Sequence, residues 1–307
     1  MRSARLTVLL VAHGSRDPRA AASTEALARA VGRARPGWSV RASYLDHAGP
    51  RPLDVLASLP AGSDVVVVPL LLTAAYHGRV DLPAVISAAA ALPIRVSLAD
   101  VLGPASRADL GLPARADLSP ARADLSPARA DLSPARADLS PARADLSPAR
   151  ADPSPARADL GPSAFGGFSR LSRADISGGL LDGLVRRLPT LDLDGVVLAA
   201  AGTRDAAARE TITWVGEALS ARLSLPCAVA YASGALPRPG DAVSGLRGKV
   251  GMSAYFLAPG FLYDLAVRSA LDAGAVAIAE PLGDASDLVR VVTARVALTQ
   301  SHYPVAA

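Results

Sequence analysis

The sequence of 307 residues contains a single cysteine, Cys227. One cysteine excludes an intramolecular disulfide framework and any zinc site that is built from several thiolates. Aromatic residues make up only 4% of the chain, so alanine and valine must fill most of any core. Because half of all residues are hydrophobic, a core of ordinary size is still possible. We expect Cys227 to be a small buried hydrophobic residue.

The chain also lacks a lysine-rich patch and a long hydrophobic run. Arginines and aspartates are interleaved, and the formal net charge is only +4, so we expect no nucleic-acid partner. The first apolar run, Leu6 to Ala12, is too short for a secretory signal or a membrane span. These features predict a soluble cytoplasmic protein without a membrane partner.

A low-complexity repeat occupies the middle of the chain. The heptapeptide ARADLSP occurs five times in a row from Ala114 and then decays up to Pro162. A period of seven residues suggests a coiled coil, but an interior proline costs a helix about 3 kcal/mol, and one leucine per repeat makes no a/d seam. We predict that residues 105–177 form a disordered insertion. It is either a tolerated expansion of a surface loop or a partner-binding spacer.

The remaining residues, 1–104 and 178–307, make two blocks that each alternate strand-like and helix-like segments. The first block has four strand-like runs, LTVLLVA, SVRASYL, DVVVVPLLL and IRVSLAD, separated by three helical patterns. The second block repeats this layout, beginning with DGVVLAAAGTRDAAARE. The pattern predicts an α/β fold of two duplicated, doubly wound parallel-sheet halves.

Polar residues follow the predicted strands of the first half only. His13 ends the first strand, Asp46 ends the second and His77 follows the third, so all three belong to the carboxyl edge of the sheet, where ligands bind. The second half has Ala201, Ser233 and Leu262 at the corresponding positions. The first half therefore carries any chemistry, and the second half supplies a wall or support.

His13, His77 and Asp46 together form a donor set suited to a borderline divalent ion such as Fe²⁺ or Co²⁺. His47 could take the place of Asp46, and each histidine could instead be an ordinary hydrogen-bonded group at a strand end. We treat His13 and His77 as the catalytic pair and all three residues as the metal site. His302, near the end of the chain, is expected to be a solvated bystander.

The residues around the two histidines suit an anionic ligand. Gly14 allows close backbone approach, and Ser15 could cap the helix that begins at Asp17-Pro18. Arg16 and Arg79 are placed to meet carboxylates in a bidentate manner. We therefore predict that Gly14, Ser15, Arg16 and Arg79 bind the substrate.

Other catalytic signatures are weak or missing from the sequence. AHGS is similar to the RHG signature of phosphoglycerate-mutase-like phosphatases, but Ala12 stands where the phosphate-binding arginine would be. There is no G-x-S-x-G elbow, no Walker loop and no G-x-G-x-x-G, so hydrolase, NTPase and dinucleotide-binding functions lack support.

The segments LLVAHGSRDPRA, SYLDHAGPRPLDVL and VVVVPLLLTAAYHGRVDLPAVI resemble the class II sirohydrochlorin chelatases of the CbiX/SirB type, in the long form with two fused halves. The resemblance covers the whole chain except the repeat insertion. It implies a lyase that inserts Fe²⁺ or Co²⁺ into sirohydrochlorin, for siroheme or cobalamin synthesis, without a nucleotide or any cofactor beyond the substrate metal. The family's metal-binding histidines match His13 and His77, and its acidic residue, usually glutamate, matches Asp46.

The resemblance also leaves alternatives open. A tetrapyrrole or metal carrier that kept the fold without turnover is the competing function. The partners expected are sirohydrochlorin and the divalent metal, and the chain could be a monomer or a homodimer.

Overall fold

The structure of this chain is a computed structural model that describes residues 5–73, 81–113, 172–189 and 192–302. The first half contains four strands and three helices in the predicted alternation. In chain order they are β1 (Leu6–Ala12), α1 (Pro18–Ala34), β2 (Trp38–Tyr44), α2 (Pro52–Ala57), β3 (Asp64–Pro69), α3 (Leu82–Ala89) and β4 (Arg95–Leu98).

The four strands form one parallel sheet in the order β2-β1-β3-β4. β1 lies between β2 and β3, so both of its edges are paired, and Val8 through Val11 are fully buried. Strands that are covered on both faces read as continuous apolar runs, which is why β1 and β3 are so rich in valine and leucine. Because all strands run the same way, His13 and Asp46 follow the carboxyl ends of adjacent strands.

The second half repeats this topology and confirms the predicted duplication. Its sheet has the order β6-β5-β7-β8, again all parallel. Its elements follow a helix that joins the two halves, α4 (Arg173–Arg187), and a further helix closes the chain. They are β5 (Gly195–Ala200), α5 (Ala206–Leu223), β6 (Cys227–Tyr231), α6 (Pro239–Gly245), β7 (Val250–Tyr255), α7 (Phe261–Asp272), β8 (Ala277–Ile278) and α8 (Ser286–His302).

The two halves exchange their last helices. α4, which follows the first half in the chain, contacts β7 and α5 of the second half, whereas α8 contacts β3 and α1 of the first half. One continuous hydrophobic cluster therefore contains residues of both sheets together with both exchanged helices, represented by Val66, Leu184, Leu198 and Val292. Each half also has a smaller core of its own on the outer face of its sheet.

The described ends of the predicted insertion are folded, so the expectation of disorder over residues 105–177 was too wide. A short 3-10 helix, Ala108–Leu110, follows the first half, and α4 begins at Arg173. α4 begins there because Ser172 and Asp175 form a reciprocal capping box, and Ile176 is buried in the shared core. The ARADLSP repeats themselves lie outside the described residues.

Two expectations from composition concern burial. Burial raises the pKa of the Cys227 thiol to about 11, which fits an unreactive residue rather than a thiolate ligand. Among the helices that the structure describes, none combines the length and the apolar character that are needed to span a bilayer.

The exchanged helices each use an arginine to hold the loop after the last strand of the opposite half. Arg295 of α8 donates from Nη2 to the carbonyl oxygen of Gly103 at 2.8 Å, and Arg187 of α4 donates to that of Leu282 at 3.0 Å. The Arg295 side chain is 3% exposed and that of Arg187 is 26% exposed. Burial also lowers the pKa of Arg295 from its ordinary value.

We expect Arg295→Ala to lower the free energy of unfolding by about 2 kcal/mol, because it removes a buried stem and leaves the Gly103 carbonyl without its donor. Arg187→Ala should cost about 1 kcal/mol or less, since its side chain is more exposed. Urea unfolding followed by circular dichroism measures both values. Equal losses in the two variants would contradict this account of the helix exchange.

Candidate functional site

His13 is placed by the end of β1, and its imidazole lines a cavity of about 160 Å³. The Nδ1 atom lies 3.1 Å from the carbonyl oxygen of Gly14. Other walls of the cavity come from α1 and from Tyr44, and the second half contributes Leu257 and Ala258 beyond β7. The second half therefore does supply a wall of the site, as its missing polar residues suggested.

Gly14 brings the loop after β1 against the loop after β2. Its φ is +94°, and a Cβ atom added there would lie 1.7 Å from the carbonyl oxygen of Asp46. The N–H of Asp46 donates to the carbonyl oxygen of His13 at 2.8 Å, so the two loops are joined directly. The close approach that glycine permits is thus made by a neighbouring loop of the protein, and it sets His13 beside Asp46.

The cap of α1 differs from the prediction. Asp17, not Ser15, is the N-cap, and its carboxylate accepts from the N–H of Arg19 at 2.9 Å. Pro18 at the first helical position fixes the boundary, because its missing N–H needs no partner there. The Ser15 hydroxyl instead accepts from the N–H of Asp17 at 3.0 Å and shapes the turn before the helix.

Arg16 is exposed and forms no ion pair within the part of the chain that the structure describes. Arg19 pairs with Asp17 and also reaches Asp264 at the start of α7, where its Nη2 lies 2.5 Å from Oδ2. The hydrogen bond from the Arg19 side chain lowers the pKa of Asp17 below its ordinary value. Arg16 therefore remains available for an anionic ligand, while Arg19 ties the loop after β1 to the second half.

Asp46 lies on the exposed side of the site, with 54% of its side chain accessible. One carboxylate oxygen accepts from the N–H of His47 at 2.8 Å, and the other lies 3.4 Å from His47 Nε2. Arg51 Nη2 lies 3.6 Å from the carboxylate. The hydrogen bond from His47 and the nearby cations lower the pKa of Asp46, so the group is ionised at neutral pH.

His47 approaches His13 rather than pointing away. The two ring centroids are 6.1 Å apart, and the ring planes are inclined by 42°. His47 also has a φ of +60°, a left-handed conformation that is uncommon for a residue other than glycine. The structure thus brings His13, Asp46 and His47 together at the carboxyl edge of the first sheet.

His77 and Arg79, predicted to belong to the same site, lie outside the described residues, so their assignments stay predictions. Among the residues described, no group of three or more His, Cys, Asp or Glu side chains is arranged to hold a metal ion. His13, His47 and Asp46 offer two imidazoles and a carboxylate on one open edge, which could bind a borderline divalent ion together with a further ligand.

The equivalent place in the second half has the same backbone without the polar groups. The N–H of Ser233 donates to the carbonyl oxygen of Ala201 at 3.0 Å, as Asp46 does to His13. A cavity of about 220 Å³ beside Ala201 is lined almost entirely by apolar residues of both halves. The duplication kept the loop geometry in both halves, and only the first half has side chains that can bind a metal.

Sequence reasoning missed Arg19, Arg51 and the wall formed by Leu257 and Ala258. The contacts of Arg19 and of the wall cross between the halves, which no local motif reports. Arg51 donates to the carbonyl oxygen of Leu45 and sits beside Asp46. Its proximity to Asp46 in the sequence was the one available signal.

Comparison with known proteins adds a family and a fold. The CbiX family model matches residues 7–115 and 195–299, which is more than half of the chain. No curated protein matches the chain by sequence.

Solved structures with the same fold include SirB from Bacillus subtilis with Fe³⁺, at 15% identity, a TM-score of 0.60 and 98% coverage of each chain. The sirohydrochlorin chelatase SirB from Bacillus subtilis subspecies spizizenii in complex with cobalt has 16% identity, a TM-score of 0.62 and 97% coverage of each chain. CbiX, the terminal enzyme for siroheme biosynthesis in denitrifying bacteria, has 17% identity and a TM-score of 0.52, over 95% of this chain and 98% of that one.

We expect Gly14→Ala to lower the free energy of unfolding by about 3 kcal/mol or more, because the added methyl group collides with a backbone oxygen at a positive φ. Gly202→Ala should cost a similar amount, since its Cβ would lie 1.8 Å from the Ser233 oxygen. Gly62 is the matched control: it has a φ of +79° and open space around it, so its alanine variant should lose only about 1 kcal/mol. Thermal or urea unfolding gives the three values, and a Gly14→Ala variant as stable as Gly62→Ala would refute the close-contact role.

Proposed function

The chain belongs to the CbiX family, and from this premise we propose that it is a chelatase that inserts Fe²⁺ or Co²⁺ into sirohydrochlorin. The observation that carries the proposal is the placement of His13 at the end of β1, in a cavity between the halves, whereas Ala201 stands at the matching position. A fold-only histidine would have no reason to differ from its duplicate in this way. Such a reaction belongs to siroheme or cobalamin synthesis.

The proposed ligands of the metal substrate are His13 and His77, with Asp46 as the acidic member of the site. Metallation needs an ion that is held through a few ligands and then released, together with removal of the pyrrole protons. Imidazoles suit both tasks at physiological pH, because a neutral ring binds the ion and can also accept a proton. In this mechanism one histidine delivers the ion while the other accepts a pyrrole proton.

The proposed tetrapyrrole site lies at the mouth of the His13 cavity, between the two halves. A space of about 160 Å³ has room for an ion and a few waters, roughly 30 Å³ each, so the macrocycle would lie across the opening. Sirohydrochlorin carries several carboxylates. Arg16, which is exposed beside His13, and Arg79 are the cations proposed to bind them, together with the backbone around Gly14 and Ser15.

The metals recorded in related structures support the choice of ion. The two SirB structures contain Fe³⁺ and cobalt, the metals whose divalent forms the proposed reaction uses. Histidine and carboxylate donors accept both Fe²⁺ and Co²⁺, and ligand type alone does not separate them. The proposal therefore covers both ions, and no nucleotide is required.

We expect His13→Ala and His77→Ala each to lower the rate of metallation at least about 100-fold, because each removes a metal ligand and a possible proton acceptor. The measurement is an anaerobic absorbance time course of sirohydrochlorin with Fe²⁺ and, separately, Co²⁺. A reaction without protein gives the spontaneous rate. His302→Ala is the matched control, since it removes a histidine from the end of α8 and should keep the wild-type rate.

Two results would contradict the proposal. Wild-type rates in both His13→Ala and His77→Ala would refute the assignment of the site. If the folded wild-type protein accelerates metallation by neither ion but binds the metal or the tetrapyrrole, the carrier function replaces the chelatase.

A further inference from the structure

His47 occupies a backbone conformation that the fold would fill more cheaply with glycine. Its φ is +60°, and Gly234, the residue at the same place in the second half, has a φ of +71°. The surrounding loops correspond, because Ala48 N–H donates to the Asp46 oxygen at 2.7 Å and Ala235 N–H donates to the Ser233 oxygen at 2.8 Å. A left-handed conformation costs a residue with a Cβ roughly 1–2 kcal/mol. A histidine that is kept at such a cost points to a use for its ring.

The position of the ring suits shared binding of one ion with His13. In a complex of two imidazoles, each metal–nitrogen bond is about 2.0–2.1 Å, which puts the two ring centroids about 5–6 Å apart for common bond angles. The observed centroid separation of 6.1 Å needs only a small adjustment. The His47 side chain is 35% exposed, so an ion can reach it from solvent.

Asp46 faces His47 more directly than it faces His13. Its Oδ1 accepts from the His47 N–H at 2.8 Å, and its Oδ2 lies 3.4 Å from His47 Nε2. Arg51 at 3.6 Å balances the carboxylate charge. A carboxylate that contacts one nitrogen of an imidazole while the other nitrogen binds the metal is a common way of orienting a histidine ligand.

We propose that His47 binds the metal substrate through Nδ1 beside His13, and that Asp46 is a positioning residue that orients the His47 ring through Nε2. This inference rests on the proposed function in taking the ligand to be the divalent metal substrate. It moves the third metal ligand from the acidic residue to the histidine that follows it. The aspartate side chain is one methylene shorter than the glutamate usual in the family, and the adjacent histidine supplies the missing reach.

The test is binding of Co²⁺ to the full chain without tetrapyrrole, measured by anaerobic calorimetry and by the visible absorption of the bound ion. His47→Gly is the variant of choice, because glycine adopts the left-handed conformation freely and leaves the loop intact. We expect His47→Gly to weaken Co²⁺ binding by about 10-fold or more while its melting temperature stays the same or rises. The visible spectrum should shift as a nitrogen ligand is lost.

Ser224→Gly is the matched control. Ser224 is the other residue besides glycine with a positive φ, +55°, in the described part of the chain, and it lies at the end of α5. Its glycine variant makes the same change of backbone preference, so it should bind Co²⁺ like the wild type. A loss in both variants would trace the effect to backbone flexibility and overturn the role of the ring.

A double-mutant cycle separates the roles of Asp46 and His47. If Asp46 acts through His47, Asp46→Asn weakens Co²⁺ binding about 10-fold in the wild type and changes it little in the His47→Gly background. If Asp46 is the direct ligand, its loss weakens binding equally in both backgrounds, and the inference fails. Unchanged Co²⁺ affinity in His47→Gly, or no binding by the wild-type protein, would also overturn it.

The binding test and the metallation assay fail separately. Normal chelatase rates and Co²⁺ affinity in His47→Gly would refute the inference and leave the proposed function intact. Weakened Co²⁺ binding in that variant, in a protein whose wild type does not metallate sirohydrochlorin, would support the ligand assignment and refute the chelatase.

Discussion

The exchange of the last helices between the halves is the constraint on which the site depends. α8 covers the first sheet and α4 covers the second, so the largest hydrophobic cluster belongs to both halves at once. Separating the halves would expose that cluster to water at a cost of about 25 cal/mol for each Å² of apolar surface. The relative position of the two carboxyl edges is therefore fixed by the core, and Leu257 of the second half can form a wall for His13.

The duplication separates what the fold requires from what the chemistry requires. Gly14 and Gly202 share a positive φ and the same contact with a backbone oxygen of the next loop, so this glycine serves the architecture in both halves. Asp17 and Asp205 both cap the following helix. The side chains at His13 and Ala201 differ although their backbones are held alike.

Much of the fold could be predicted from the sequence, because the signals are local. The valine-rich runs and the Asp-Pro before α1 set β1, β3 and α1 close to where the structure has them. The cap of α1 was misjudged because Ser15 and Asp17 are both good caps, and only the position of Pro18 decides between them. The direction of His47 depends on its left-handed backbone, and the contact of Arg19 with Asp264 depends on packing between the halves. Neither is written in a local pattern.

The second half also shows that the polar residues of the first are dispensable for folding. Its loops reproduce the same hydrogen bonds with alanine, serine and glycine at the positions of His13, Asp46 and His47. A left-handed histidine beside an exposed carboxylate is less favourable for stability than the Ser233-Gly234 pair that replaces it. Stability alone would therefore favour the composition of the second half in both places. The retention of two imidazoles and a carboxylate at one edge is explained by a ligand that binds them.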